Sequence, residues 1–292
     1  MLESHSVDGY FDHTVGKAYI NHYPPEILKG IDFANSVSVE IGCGVGNDAL
    51  YFIQQLGMNP FNMFFVDPDV QGIVETIEKI EKEVFRVSHP DSPINQRLEK
   101  YTLSDFEDLS EEVAHFRNDF QKFVLSHFHY ESILYCTLPA GIADLVYANN
   151  VLHCMGYPSR EEEMAAHVFK RTQGHCDEEW SKLATQSPFE KVRKAIEMAY
   201  ALLKPGGIFI GRCLTPDVYP WRLDLMEETG EDLERIEFIR RTIAEMEKGR
   251  IVGIYPAKFE TFGYASGFSA ICTLMKEESW KPLQDFYFRC ER

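Results

Sequence analysis

The sequence predicts an α/β fold, and three observations predict it. An apolar strand runs into a glycine loop and a helix, and a second apolar strand then ends in an acid. Helical periodicity recurs later, at Glu161–Lys170 and Leu225–Lys248. The C-terminal stretch reads as an antiparallel hairpin, Phe268 to Met275 and Phe286 to Arg289.

The first strand is Ser36-Val37-Ser38-Val39-Glu40-Ile41, followed by the loop Gly42-Cys43-Gly44-Val45-Gly46. Glycines two apart let the backbone turn tightly and approach a ligand with no Cβ in the way. A helix starting near Asn47 then offers its free N–H groups. Loops are glycine-rich by default, so the triplet alone is weak; the order strand, loop, helix, strand, acid gives it weight. The second strand is Asn62 to Val66, and Asp67 closes it 21 residues after Gly46. An acid about 20 residues past such a loop is placed to accept both hydroxyls of a ribose. The alternative, that Asp67 only caps the helix beginning near Val70, is better filled by Asp69. The spelling is Glu40-x-Gly42-x-Gly44-x-Gly46, not G-x-G-x-x-G. An acid before the first glycine suits a cationic amino group rather than a pyrophosphate, so the site fits a nucleoside carrying an amino acid.

Further along, Ile142-Ala143-Asp144-Leu145-Val146-Tyr147-Ala148-Asn149-Asn150-Val151-Leu152-His153 and Ala201-Leu202-Leu203-Lys204-Pro205-Gly206-Gly207-Ile208-Phe209-Ile210 follow in order, and Tyr10-Phe11-Asp12 with Tyr19 lie near the start. With these segments the chain resembles the class I S-adenosylmethionine-dependent methyltransferases, well over residues 10–84 and 120–213 and more weakly to 292. The resemblance implies a doubly wound, mostly parallel seven-stranded sheet with an antiparallel C-terminal hairpin strand and helical insertions. It implies one domain over 1–292, with an N-terminal lid at 1–30 and insertions at 86–119, 156–188 and 214–250 near the substrate side. The cofactor implied is S-adenosyl-L-methionine, with S-adenosyl-L-homocysteine as product.

The same resemblance implies roles. Glu40, Gly42, Cys43, Gly44 and Gly46 would hold the methionine end, Asp67 the ribose hydroxyls, and Pro68 the face of the adenine. Tyr19 would belong to the lid, and Asn149 and Asn150 would face the sulfonium side. Members usually carry an acid just after the third strand for the adenine amino group. With that strand read at Phe120 to Leu125, this chain offers Ser126 and His127 instead. Asp105 is an alternative, but Ser104-Asp105-Phe106-Glu107 spells a capping box for a helix from Asp105 to Arg117. That leaves the adenine contact open.

Composition narrows the function. A net charge of −17 with dispersed Lys and Arg repels polyanions, which disfavours a nucleic-acid substrate. No run approaches 18 apolar residues and the start lacks a basic-then-apolar signal pattern, so no membrane span is expected and the setting reads as cytoplasmic. Seven cysteines without a C-x-x-C pair suit reduced thiols, and no metal site is expected. Methyl transfer to a sulfonium-activated carbon needs mostly positioning, with a general base only for a protonated acceptor. His153, past the Asn149-Asn150 loop, is the candidate base, and His13 beside Asp12 is a weaker one; packing or loop orientation is the alternative role. His127, His129 and His175 show no metal-ligand spacing.

The expectation is therefore methyl transfer to a small-molecule acceptor. The alternatives are a protein or peptide methyltransferase, and a cofactor-binding protein without transfer. Tyr157, Phe169, Trp180, Tyr219 and Trp221 are candidates to line an apolar pocket. The insertions serve equally well as substrate walls or as a homodimer interface.

Overall fold

Ser38-Val39-Glu40-Ile41 is buried at all four positions, as a strand covered on both faces must be. The computed structural model describes residues 25–149, 151–152, 160–175, 181, 188–213, 258–265 and 284–292. A single helical turn, α1 (Pro25–Leu28), precedes β1 (Ser38–Ile41), and α2 (Asn47–Leu56) and β2 (Met63–Val66) follow. Next come α3 (Val70–Ser88), α4 (Glu111–His127), β3 (Phe128–His129) and β4 (Ala143–Asn149). The remaining elements are α5 (Arg160–Arg171), α6 (Pro188–Leu202), β5 (Leu203–Cys213), β6 (Lys258–Ala265) and β7 (Gln284–Glu291).

The seven strands are ordered β3-β2-β1-β4-β5-β7-β6. β1 and β2 are parallel, with Val39 opposite Phe64, and β2 and β3 are parallel, with Phe65 opposite Phe128. β6 and β7 are antiparallel. Strand order reverses between β1 and β4, which is the doubly wound arrangement expected, and ligands of such sheets sit beyond the carboxyl ends at that reversal.

The chain divides into two compact units, 1–147 with 202–208, and 148–201 with 209–292. In the first unit, Phe52 of α2 and Tyr147 of β4 are fully buried and meet edge to face at 4.5 Å. The strand following α6 is tied to β4 by chemistry that explains its Lys-Pro-Gly-Gly spelling. Lys204 Nζ donates to Asp144 Oδ2 at 2.7 Å, the same oxygen that accepts Val37 N–H at 2.9 Å. A Cβ on Gly207 would stand 2.9 Å from Lys204 O and 3.1 Å from Ala143 O, so only glycine lets the strand approach this closely. In the second unit, Arg292 donates to the carbonyls of Tyr200 and Ala201 at the end of α6, where a cation complements the helix dipole.

Two placements differ from expectation. The segment 120–125 is helix, not strand: α4 buries Val113, Phe116, Phe120 and Phe123, a helical stripe, and Phe116 meets Phe85 of α3 at 5.0 Å. The third strand is the pair Phe128-His129, and the expected helix from Asp105 to Arg117 is replaced by a 3-10 stretch, Leu103–Leu109, and then α4. β7 pairs with 258–265, while the expected hairpin partner at 268–275 lies outside the described residues. The expected helix at 225–248 lies outside them too, and that at 161–170 is α5.

Candidate active site

The loop between β1 and α2 takes its shape from its glycines. Gly42, Gly44 and Gly46 have φ of 70°, 48° and 74°, a region that residues with a Cβ enter only at a cost of about 1–2 kcal/mol. Gly42 N–H donates to Val66 O at 2.8 Å, and Gly46 N–H to Cys43 O at 2.8 Å, which closes the turn. α3 braces the loop from below through residues on one helical face. Thr76 Oγ1 donates to Gly44 O at 2.8 Å, and Lys79 Nζ donates to Val45 O at 2.6 Å and to Asn47 Oδ1 at 2.7 Å. Gly72 lies one turn earlier, where a Cβ would be 2.7 Å from Gly44 O.

Two buried carboxylates flank this loop. Glu40 is 2% exposed and accepts from Tyr147 OH at 3.1 Å. Asp67 is 6% exposed; its Oδ2 accepts Gly44 N–H at 2.9 Å and its Oδ1 accepts Asp69 N–H at 2.7 Å. Burial raises the Asp67 carboxyl above the usual carboxylate range, partly offset by those two amides. Cys43 lies within the field of both acids. Burial first, then the charges of Glu40 and Asp67, push its thiol well above the ordinary value. Asp69 caps α3 by accepting Gln71 N–H at 3.1 Å, which frees Asp67 from that duty.

A profile of the family described as "Methyltransferase domain" matches residues 17–250. The chain belongs to this family. It is a class I S-adenosylmethionine-dependent methyltransferase, with S-adenosylmethionine as its cofactor. No curated protein matches the sequence. Solved structures that resemble the methyltransferase include a SAM-dependent methyltransferase of Thermotoga maritima, at 11% identity, 88% of this chain, 82% of that chain and a TM-score of 0.38. Another is the N-methyltransferase NodS of Bradyrhizobium japonicum, at 12% identity, 87% and 84% coverage and a TM-score of 0.38. A third is phosphoethanolamine N-methyltransferase 2 of Haemonchus contortus, in complex with phosphomonomethylethanolamine and S-adenosylhomocysteine, at 13% identity, 91% and 51% coverage and a TM-score of 0.42.

The residues of the methyltransferase fit such a cofactor chemically. The loop lacks side chains at alternate positions, and Glu40 and Asp67 are acceptors suited to an ammonium and to hydroxyls. In the second unit, both amide atoms of Asn149 at the end of β4 are buried with no hydrogen-bond partner among the described residues.

Other expected residues lie elsewhere. With β3 at 128–129, Ser126 and His127 precede the strand and so stand at its amino end, opposite the edge where ligands bind. Ser126 Oγ donates to Lys122 O and Phe123 O within α4. His127 stacks on Phe64 and Phe123 and bonds Phe123 O and Phe61 O, and burial lowers its pKa. Asp105 does cap, but through Thr102: Thr102 N–H donates to Asp105 Oδ2 at 2.7 Å, making the box Thr102–Asp105 rather than Ser104–Glu107. His13, Tyr19, Asn150 and His153 lie outside the described residues, as do Tyr157, Trp180, Tyr219 and Trp221. Among the described residues no group of three or more His, Cys, Asp or Glu could hold a metal ion, and no helix is long and apolar enough to cross a membrane.

Four residues escaped the sequence reading. Tyr147 was legible as the polar-tipped ring in an apolar strand. Gly72 and Lys79 were legible as a glycine inside a helix and a lysine on its apolar face. Glu131 was hidden by the misplaced third strand; it is the acid two residues past β3, with Oε1 3.8 Å from His129 Nδ1.

Proposed function

We propose that this methyltransferase acts on a small-molecule acceptor, by in-line displacement in which positioning is the main catalytic device. One observation carries the cofactor half of the reading: a loop of three left-handed glycines between two buried carboxylates, at the point where strand order reverses. When bound, S-adenosylmethionine supplies a methyl carbon already activated by its sulfonium. Glu40 accepts the ammonium of its methionine end beside the loop glycines and Cys43, and Asp67 accepts the ribose hydroxyls. Pro68 lies against the adenine, Glu131 takes the adenine amino group in place of Ser126 and His127, and Tyr19 belongs to the lid.

Asn149 and Asn150 line the sulfonium side, and His153 acts as base where the acceptor arrives protonated, with His13 as the weaker candidate. The acceptor half rests on charge. At −17, the chain repels phosphate backbones, while a neutral or amine-bearing metabolite meets no such barrier. Free Cys43, Cys136 and Cys290 accord with a reducing, cytoplasmic setting.

Radiolabelled methyl transfer into a metabolite extract and into a protein extract tests the proposal. Label in a product of low mass is the expected result. Label confined to polypeptide would replace the small acceptor with a peptide one, and tight cofactor binding with no label in either would make the protein a binder without transfer.

A further inference from the structure

Glu131 is held more firmly than a loop acid needs to be. Thr137 donates twice to the same oxygen, Oε1, through its N–H at 2.7 Å and its Oγ1 at 3.0 Å. The Cys136 thiol lies within the field of the same carboxylate. Burial and the Glu131 charge push that thiol up to about 11. The carboxylate side chain is 19% exposed, and the chain between the two residues is drawn in by the 3-10 turn Ile133–Tyr135. A free glutamate side chain samples many rotamers, and fixing it in advance removes an entropy cost from any binding event it serves. Neither Thr137 bond uses Oε2.

We infer that Thr137 is a positioning residue for base recognition: by anchoring Oε1 of Glu131 it presents Oε2 to the exocyclic amino group of the cofactor's adenine. The inference rests on the reading of Glu131 given above and goes beyond it, by naming the residue that sets the selectivity of that acid. The competing role is a plain loop staple, in which Glu131 serves Thr137 rather than the reverse.

The two roles separate in a comparison of S-adenosylhomocysteine with S-inosylhomocysteine, whose base carries an oxo group where adenine has the amino group. Calorimetry on the wild type, Thr137→Val, Thr137→Ser and Glu131→Gln gives the preference between the two ligands. The wild type should prefer the adenosyl ligand by about tenfold or more, the size of a hydrogen bond to a charged group. Thr137→Val should reduce that preference by about threefold or more, with S-inosylhomocysteine affinity nearly unchanged, and Thr137→Ser should restore it. Equal loss of both affinities in Thr137→Val, or no change in either, would overturn the positioning role. Glu131→Gln should abolish the preference. If it does so while Thr137→Val keeps the preference, the reading of Glu131 stands and the positioning role falls; if Glu131→Gln keeps it, the reading of Glu131 itself falls, and the positioning role with it.

Discussion

Asp67 carries a desolvation cost that its two backbone hydrogen bonds only partly offset. It is nearly buried, its carboxyl is raised above the usual range by that burial, and it meets two backbone N–H groups. Because its folded pKa exceeds the unfolded one, the resulting stabilisation is complete below the unfolded pKa. It is lost as pH rises through the folded pKa. The ionised form of Asp67 is therefore a burden on stability, which a ligand hydroxyl would relieve. The affinity for S-adenosylhomocysteine runs the other way. It should fall as pH drops through the raised Asp67 pKa, above the pH at which an ordinary aspartate titrates. Asp67→Asn should remove that step from a calorimetric pH series. An affinity indifferent to pH from about 7 down to about 4, the span in which carboxylates titrate, would contradict the ribose role.

At the scale of elements, the glycine loop owes its shape to α3 as much as to its own residues. Gly72, Thr76 and Lys79 recur every three or four positions, which puts them on one face of the helix. A methyl group at position 72 would stand 2.7 Å from the Gly44 carbonyl, too near for any real Cβ, so helix and loop would have to part. Gly72→Ala should cost about 1–3 kcal/mol in denaturant unfolding, the range of overpacked sites, and should weaken cofactor binding as well. Unchanged stability would mean that α3 does not brace the loop.

β1, its loop, β2 and the cap at Asp69 were all legible in the sequence, because strong apolar runs meet unambiguous breakers there. β3 was not. Phe116, Phe120 and Phe123 follow a helical stripe, yet Phe120-Gln121-Lys122-Phe123-Val124-Leu125 taken alone passes for a strand, and a two-residue strand shows no alternation of its own. With β3 at 128–129, Ser126 and His127 precede the strand and the acid beyond its carboxyl end is Glu131, which a strand read at 120–125 does not point to. The pairing of β6 with β7 was obscured for a related reason: the partner strands are separated in sequence by 266–283, a span longer than the short loops that mark a hairpin.

For the molecule as a whole, the strand order is that of a doubly wound sheet and the family match makes the chain a methyltransferase. On the function proposed above, the bend at 42–46 between Glu40 and Asp67 holds the adenosyl amino acid. Isothermal titration of the wild type and of Gly44→Val with S-adenosylhomocysteine tests this placement most directly. The wild type should bind with a Kd below about 1 mM, the upper end of common substrate constants. Affinity should be at least about tenfold weaker in the variant, whose β-branched side chain cannot hold the loop's φ of 48°. Equal affinities in the two proteins, or no heat from the wild type at millimolar ligand, would contradict that placement.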